Sequence, residues 1–168
     1  MIHTAEEFLA DYGYESATTA KLLGALTDAS LTQQKADGHP TLGDIAWHIA
    51  TTHGMMLNQC GFSVHANENW TMPAGTTAQQ ILDEYNTAVA STKAEAATKT
   101  PEDLQKVYNM WGMMDWPVAV SLAALIHHEV HHRGQLSVLM RQAGLTVPSI
   151  YGPNFEETQE WIAKKAAT

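Results

Sequence analysis

Helix-start signals constrain this chain more than any other feature. Thr4 with Glu7, Thr41 with Asp44, Thr77 with Gln80 and Asn154 with Glu157 each have the spacing of a capping box. In that arrangement the leading side chain accepts the third backbone N–H and the third side chain reaches back to the first. Apolar residues recur at helical spacing after these starts. Phe8, Leu9, Tyr12, Ala20, Leu22, Leu23 and Leu26 form a broken stripe that predicts a first helix over residues 5–28, with Gly13 as its soft point. Gly38-His39-Pro40 is a turn. Leu42, Ile45, Ile49, Thr52 and Met56 then predict a second helix ending near Asn58. A third, over 78–98, uses Ile81, Leu82, Tyr85 and Val89. The fourth starts near Pro117, where a missing N–H costs nothing, and stops at Gly144. A short final helix after Asn154 carries Phe155 and Trp161.

The connections are informative. Residues 61–76 are long enough to return the chain along a bundle, which would leave the second and third helices parallel neighbours. Residues 100–116 open with a short helical turn at Pro101-Glu102-Asp103-Leu104 and carry Trp111, Met113, Met114 and Trp116. So apolar a connection is expected to lie over something, as core filler or as the wall of a pocket. The expected architecture is all-α: a four-helix bundle in one domain, residues 1–168, with a short C-terminal helix.

Composition narrows the partners. Nine basic against eighteen acidic side chains give a net charge of -9. That opposes nucleic acid and anionic membranes, which bind through basic patches. No stretch approaches the roughly 20 apolar residues that span a bilayer. The single cysteine, Cys60, cannot close an intrachain bridge, and MIHTAEEFLADYG lacks a basic start followed by an apolar core. The expected location is the cytoplasm. Nothing pairs Cys60 with a base, so it is read as a small, partly buried side chain.

Nine histidines stand out, four of them within Ile126-His127-His128-Glu129-Val130-His131-His132. His127 with His131 and His128 with His132 are i, i+4 pairs, and only one pair can face inward. At about 100° per residue, His132 falls within about 40° of the apolar direction and His128 within about 80°. His127 and His131 lie about 140–180° away. On the second helix the same construction turns His48 inward beside Ile45 and Thr52, leaves Trp47 outward and puts His53 on the flank. A lone inward histidine is usually a hydrogen-bonded core residue. Three from two facing helices form the donor set of a metal site, and His48, His128 and His132 can take one face of a zinc, nickel, iron or manganese ion. The remaining positions stay open for water or substrate. Glu129 with Arg133 reads either as a simple i, i+4 ion pair or as a carboxylate orienting a ligand imidazole.

The chain resembles the DinB/YfiT-like metal-binding four-helix bundles. That family's last bundle helix carries His-(Asp/Glu)-x-x-His-Arg-Gly-Gln, matched here by His128-Glu129-Val130-His131-His132-Arg133-Gly134-Gln135. Its second helix carries a histidine after a Thr-Leu-Gly start, as in Thr41-Leu42-Gly43 through His48. The resemblance covers about residues 1–145 and rests chiefly on the octapeptide. It implies an up-down-down-up bundle, often dimeric, with three histidines on a divalent metal. Members of the family include thiol transferases that use low-molecular-weight thiols, thiol-dependent isomerases and hydrolases.

The leading functional expectation is a metal-dependent transferase or hydrolase in which the ion, zinc or nickel foremost, activates a low-molecular-weight thiol or a water for attack on a small-molecule substrate. Two alternatives stay open at this point. One is a non-catalytic, metal-stabilised bundle for ligand binding or dimerisation; the other is a metal-free bundle. A fourth protein ligand would favour the structural role, with His53, Glu129 and Gln135 as the candidates to supply it.

Overall fold

A computed structural model describes residues 2–67 and 69–167. Four long helices form its frame: α1 (Ala5–Leu23), α2 (Leu42–Leu57), α3 (Ala78–Ala96) and α5 (Val118–Gln142). A short α4 (Pro101–Gln105) and a C-terminal α6 (Phe155–Ala166) complete the helices. Both α1 and α2 pack against α3 and α5, so each long helix meets two others around a common core. Phe8, Leu22, Ile49, Leu57, Ile81, Leu122, Leu125 and Leu136 are fully buried there. Each contributes about 1.5–3 kcal/mol relative to exposure.

The caps act as the sequence spacing predicts. Thr41, Thr77 and Asn154 each accept from the third backbone N–H while the third side chain returns the bond. At Thr4 the box is half formed, because Glu7 turns its carboxylate to the His3 N–H instead. The first helix is shorter than its stripe suggests. It ends at Leu23, Gly24 closes it, and Thr27 opens a separate 3₁₀ turn, Asp28–Thr32. Asp28 then accepts the Ala78 N–H at 2.7 Å, so the residue expected to end the first helix caps the third.

The all-α expectation needs one correction. After α4 the chain forms an antiparallel hairpin, β1 (Val107–Met110) with β2 (Met114–Pro117). The tip is made by left-handed backbone at Trp111 and Gly112, closed by Met113 N–H to the Met110 carbonyl at 3.0 Å. Val107, Tyr108 and Met110 ahead of a Trp111-Gly112 tip are the strand and turn signals for this hairpin. The hairpin packs on the turn Asn58–Cys60 beyond the end of α2. Met110 is buried, whereas Trp111, Met113 and Met114 remain exposed.

A second correction concerns α2. Trp47 is not outward: it is buried, and its Nε1–H donates to the Asn69 carbonyl at 2.9 Å. The 61–76 connection lies across that face, where a helical wheel assumes solvent. It is fastened by a reciprocal pair between the Asn58 side chain and the Val64 backbone (2.8 and 3.0 Å) and by His65 N–H to Ser91 Oγ on α3 (2.9 Å). Gly54 permits the approach, because a Cβ there would sit 2.7 Å from both the Ala66 Cα and the His65 carbonyl oxygen. Gly54→Ala is therefore expected to destabilise the protein by about 1–3 kcal/mol through overpacking against backbone. Urea denaturation measures this; an unchanged midpoint would show that the connection is free to lift.

Candidate metal centre

His48 sits on the second turn of α2, and His128 and His132 lie one turn apart on α5. Their Nε2 atoms converge: His48 to His128 is 3.0 Å and His132 to His128 is 3.1 Å. One ligand atom from each residue lies within 4.8 Å of the others. Three nitrogens on a tetrahedral zinc, at bond lengths of about 2.0–2.1 Å, would stand about 3.3 Å apart. The donor set thus fits one divalent ion with little movement.

The electrostatics favour neutral, lone-pair-bearing rings. Burial, followed by the neighbouring His132, holds His48 below the ordinary histidine pKa. Burial also lowers His132, against a hydrogen bond to Gln135 that raises it. His128 is the most affected: burial, then His132 and His48, bring it down to about 4. Gln135 Oε1 meets His132 Nδ1 at 2.8 Å, which puts the proton on Nδ1 and leaves Nε2 free to ligate. The same amide's Nε2 lies 3.2 Å from His131 Nε2. Gln135 is thus an orienting group on one ring. Trp70, from the 61–76 connection, stacks on His48 with centroids 6.5 Å apart.

The other proposed fourth ligands point elsewhere. His53 is fully buried, not flanking, and its Nε2 lies 2.6 Å from the Tyr12 hydroxyl and 3.0 Å from Glu129 Oε1. Glu129 turns into the bundle and accepts from Thr19 Oγ1 at 2.7 Å and Tyr85 Oη at 2.8 Å. Burial pushes its carboxyl up, but the interactions with His53, Thr19 and Tyr85 outweigh this and hold it below the usual value. The expected Glu129–Arg133 ion pair does not form. Arg133 donates to the Glu15 backbone carbonyl (2.7 Å) and to Thr19 Oγ1 (3.1 Å), and binds the Glu15 carboxylate and the Tyr151 hydroxyl. Among the described residues, no other histidine, cysteine, aspartate or glutamate joins the three-histidine group.

Burial also refines the helical wheel. Glu129 and Arg133 occupy the fully buried stripe of α5 between Leu125 and Leu136, and His128 and His132 sit half-buried on its shoulder. A wheel weighted by apolar residues cannot see charged side chains that face inward. His127 and His131 are exposed, although His131 packs against His132 with centroids 4.9 Å apart. Cys60 is buried, and burial raises its thiol pKa, which argues against a nucleophilic role. The exposed hairpin side chains do not wall this centre. Its open side is a cavity of about 760 Å³ bounded by His48, His131, His132, Ile45 and Leu139. Lys35, His39 and Trp70 are the neighbours that sequence reasoning missed, because only loop folding brings them near.

A bundle of this kind, with three imidazoles converging at a cavity mouth, is a candidate metal-binding helical protein. The chain belongs to the DinB family, whose model matches residues 1–165. It is 42% identical over 159 residues to the uncharacterized protein YrdA of Bacillus subtilis (strain 168), covering 94% of this chain and 93% of that protein. The structure is similar to that of a DinB-like protein from Bacillus cereus ATCC 10987, with a TM-score of 0.81 and 40% identity over 90% of this chain and all of the other. It also shares its fold with the DinB-like protein YjoA of Bacillus subtilis, with a TM-score of 0.68 and 19% identity over 86% and 97% of the two chains. No helix among the described residues is long and apolar enough to cross a membrane.

The depressed histidine pKa values give a pH prediction. In the unfolded chain these rings titrate near about 6.5. Above that pH both states carry neutral rings; as pH falls from there toward about 4, the unfolded chain takes up protons that His128 in the fold refuses. The contribution of His128 to metal-free stability is therefore expected to decline through that window. Residue-resolved NMR titration should place the His128 midpoint near 4. A midpoint near the unperturbed value would show that the ring is well hydrated and not crowded by its neighbours.

Proposed function

We propose that His48, His128 and His132 hold one divalent metal ion through their Nε2 atoms, and that the protein is a metal-dependent transferase or hydrolase acting on a small molecule. The observation that carries this reading is the convergence of three imidazole nitrogens, two of whose rings border an open cavity, with no fourth carboxylate, thiolate or imidazole in the group among the described residues. Structural sites are closed by four protein ligands, whereas catalytic sites keep a position free. Zinc or nickel suits three imidazoles best, and iron or manganese is the alternative. Bound there, the ion would lower the pKa of a low-molecular-weight thiol or a water so that a strong nucleophile exists near neutral pH.

The chain's own side chains support that chemistry. Gln135 fixes the tautomer and plane of His132. Trp70 covers one face of His48 and limits access from that side. Burial keeps all three rings neutral, so metal competes with few protons at physiological pH. The buried Cys60 supplies no nucleophile, which favours a thiol or water brought from solution. The reading includes an up-down-down-up course for α1, α2, α3 and α5 and, following the family resemblance, a cytoplasmic homodimer. A net charge of -9 supports neither nucleic acid nor an anionic membrane as partner.

Metal analysis of protein purified without a histidine tag is expected to give one ion per chain. His48→Ala, His128→Ala and His132→Ala should each abolish stoichiometric binding, while His127→Ala and His131→Ala leave it nearly intact. Loss of the metal in the His127 and His131 variants alone would place the site on the other face of α5. Chelation should leave the helical circular dichroism largely unchanged, because buried apolar side chains from all four long helices, such as Phe8, Ile49, Ile81 and Leu125, form a core that does not depend on the three histidines. Collapse of the helical signal would assign the metal a structural role. A screen of thiols against electrophilic substrates then tests turnover, which should disappear with the metal.

A further inference from the structure

The cavity beside the histidines has a polarity that the metal centre alone does not explain. Its outer wall is apolar: Pro40 and Ile45 on one side, Val138 and Leu139 on the other. Val138 is 58% exposed, so the fold leaves this wall uncovered. At the rim stands Lys35, whose ammonium makes no hydrogen bond or ion pair among the described residues. The one carboxylate on the wall, Asp44, is committed to capping α2: its Oδ2 accepts from the Thr41 N–H at 2.9 Å and the Thr41 hydroxyl at 2.8 Å.

Gly134 supplies the second observation. It lies inside α5, where glycine costs about 1 kcal/mol relative to alanine. Neither of the usual reasons applies, since its φ is not left-handed and a Cβ built there would meet nothing within 4 Å. What Gly134 borders is the cavity, one turn from His131 and one turn from Val138. A side chain at that position would project into the space next to the histidines.

We propose that this cavity binds an elongated organic anion: a donor group at the histidine cluster, an apolar body lying over Gly134 and against Val138 and Ile45, and an anionic end paired with Lys35. The inference rests on the metal-centre reading and specifies the class of thiol or substrate that the centre accepts. Covering Val138 and Pro40 favours an apolar body, and an unpaired ammonium at the rim favours an anion over a neutral or cationic end group. Gly134 determines specificity by its lack of a side chain.

Cobalt-substituted protein provides the test, with mercaptohexanoate and mercaptohexanol as probes and the thiolate-to-cobalt absorption band as the signal. At low ionic strength mercaptohexanoate should bind about threefold more tightly, the range of an exposed ion pair, and high salt should remove the difference. Lys35→Gln should abolish it while leaving mercaptohexanol unchanged. Gly134→Leu should weaken both probes about tenfold with cobalt stoichiometry unaltered, and Gly134→Ala should melt at a higher temperature than the wild type. Equal affinity for the two probes in the wild type, or a preference that survives Lys35→Gln, overturns the proposal. Lys35 lies on an exposed loop, so its variant decides the matter even if Gly134→Leu does not fold. Absence of the band with both probes on cobalt-loaded protein would overturn the open metal centre itself, an outcome distinct from a band without charge preference.

Discussion

One carboxylate in the interior fixes how the long helices meet. Glu129 of α5 accepts from Thr19 of α1 and Tyr85 of α3 and lies beside His53 of α2, so all four long helices touch a single buried charge. Removing a carboxylate from water is costly, and several kcal/mol are recovered only when donors surround it. The rotations of α1 and α3 therefore bring the hydroxyls of Thr19 and Tyr85 to that point, and the rotation of α2 brings the His53 ring beside it. The Tyr12 and Tyr85 hydroxyls are pushed well above their ordinary pKa by burial and then by the Glu129 charge, so both stay protonated, and Tyr85 donates to Glu129.

The histidine cluster follows from that rotation. His128 precedes Glu129, and His132 precedes Arg133, so a helix that buries Glu129 and Arg133 turns both rings about 100° to one side. On that side stands His48. Arg133 reinforces the orientation through Glu15 on α1 and Tyr151 beyond α5. The octapeptide thus serves two purposes at once. Glu129 and Arg133 hold the bundle, their neighbours His128 and His132 present ring nitrogens, and Gln135 steadies one of those rings.

Much of this is legible in the sequence. The caps placed the starts of α2, α3 and α6, and the apolar stripe of the helical wheel separated His128 with His132 from the equally spaced His127 with His131 as the pair nearer the core, because both signals are local and depend on a turn of helix. Features built from distant segments were not legible. Trp47 is buried because a connection folds over it, His53 because Tyr12 and Glu129 meet it from other helices, and the hairpin because two short strands had to find each other. The wheel also misjudged the centre of the buried face, since Glu129 and Arg133 carry charges that a hydrophobic pattern excludes.

Short-range periodicity and motif are enough to specify where the long helices lie, the caps of α2, α3 and α6, the side of α5 that carries His128 and His132, and membership in a family of helical bundles. Which polar groups share the interior, that His48 reaches His128 across 3.0 Å, and that Glu129 serves the core while Gln135 serves the cluster follow instead from the packing of the whole bundle. The reason is physical. A residue's partners across a bundle depend on helix rotation and connection path, and those are settled by the joint satisfaction of buried charges and donors from every helix together.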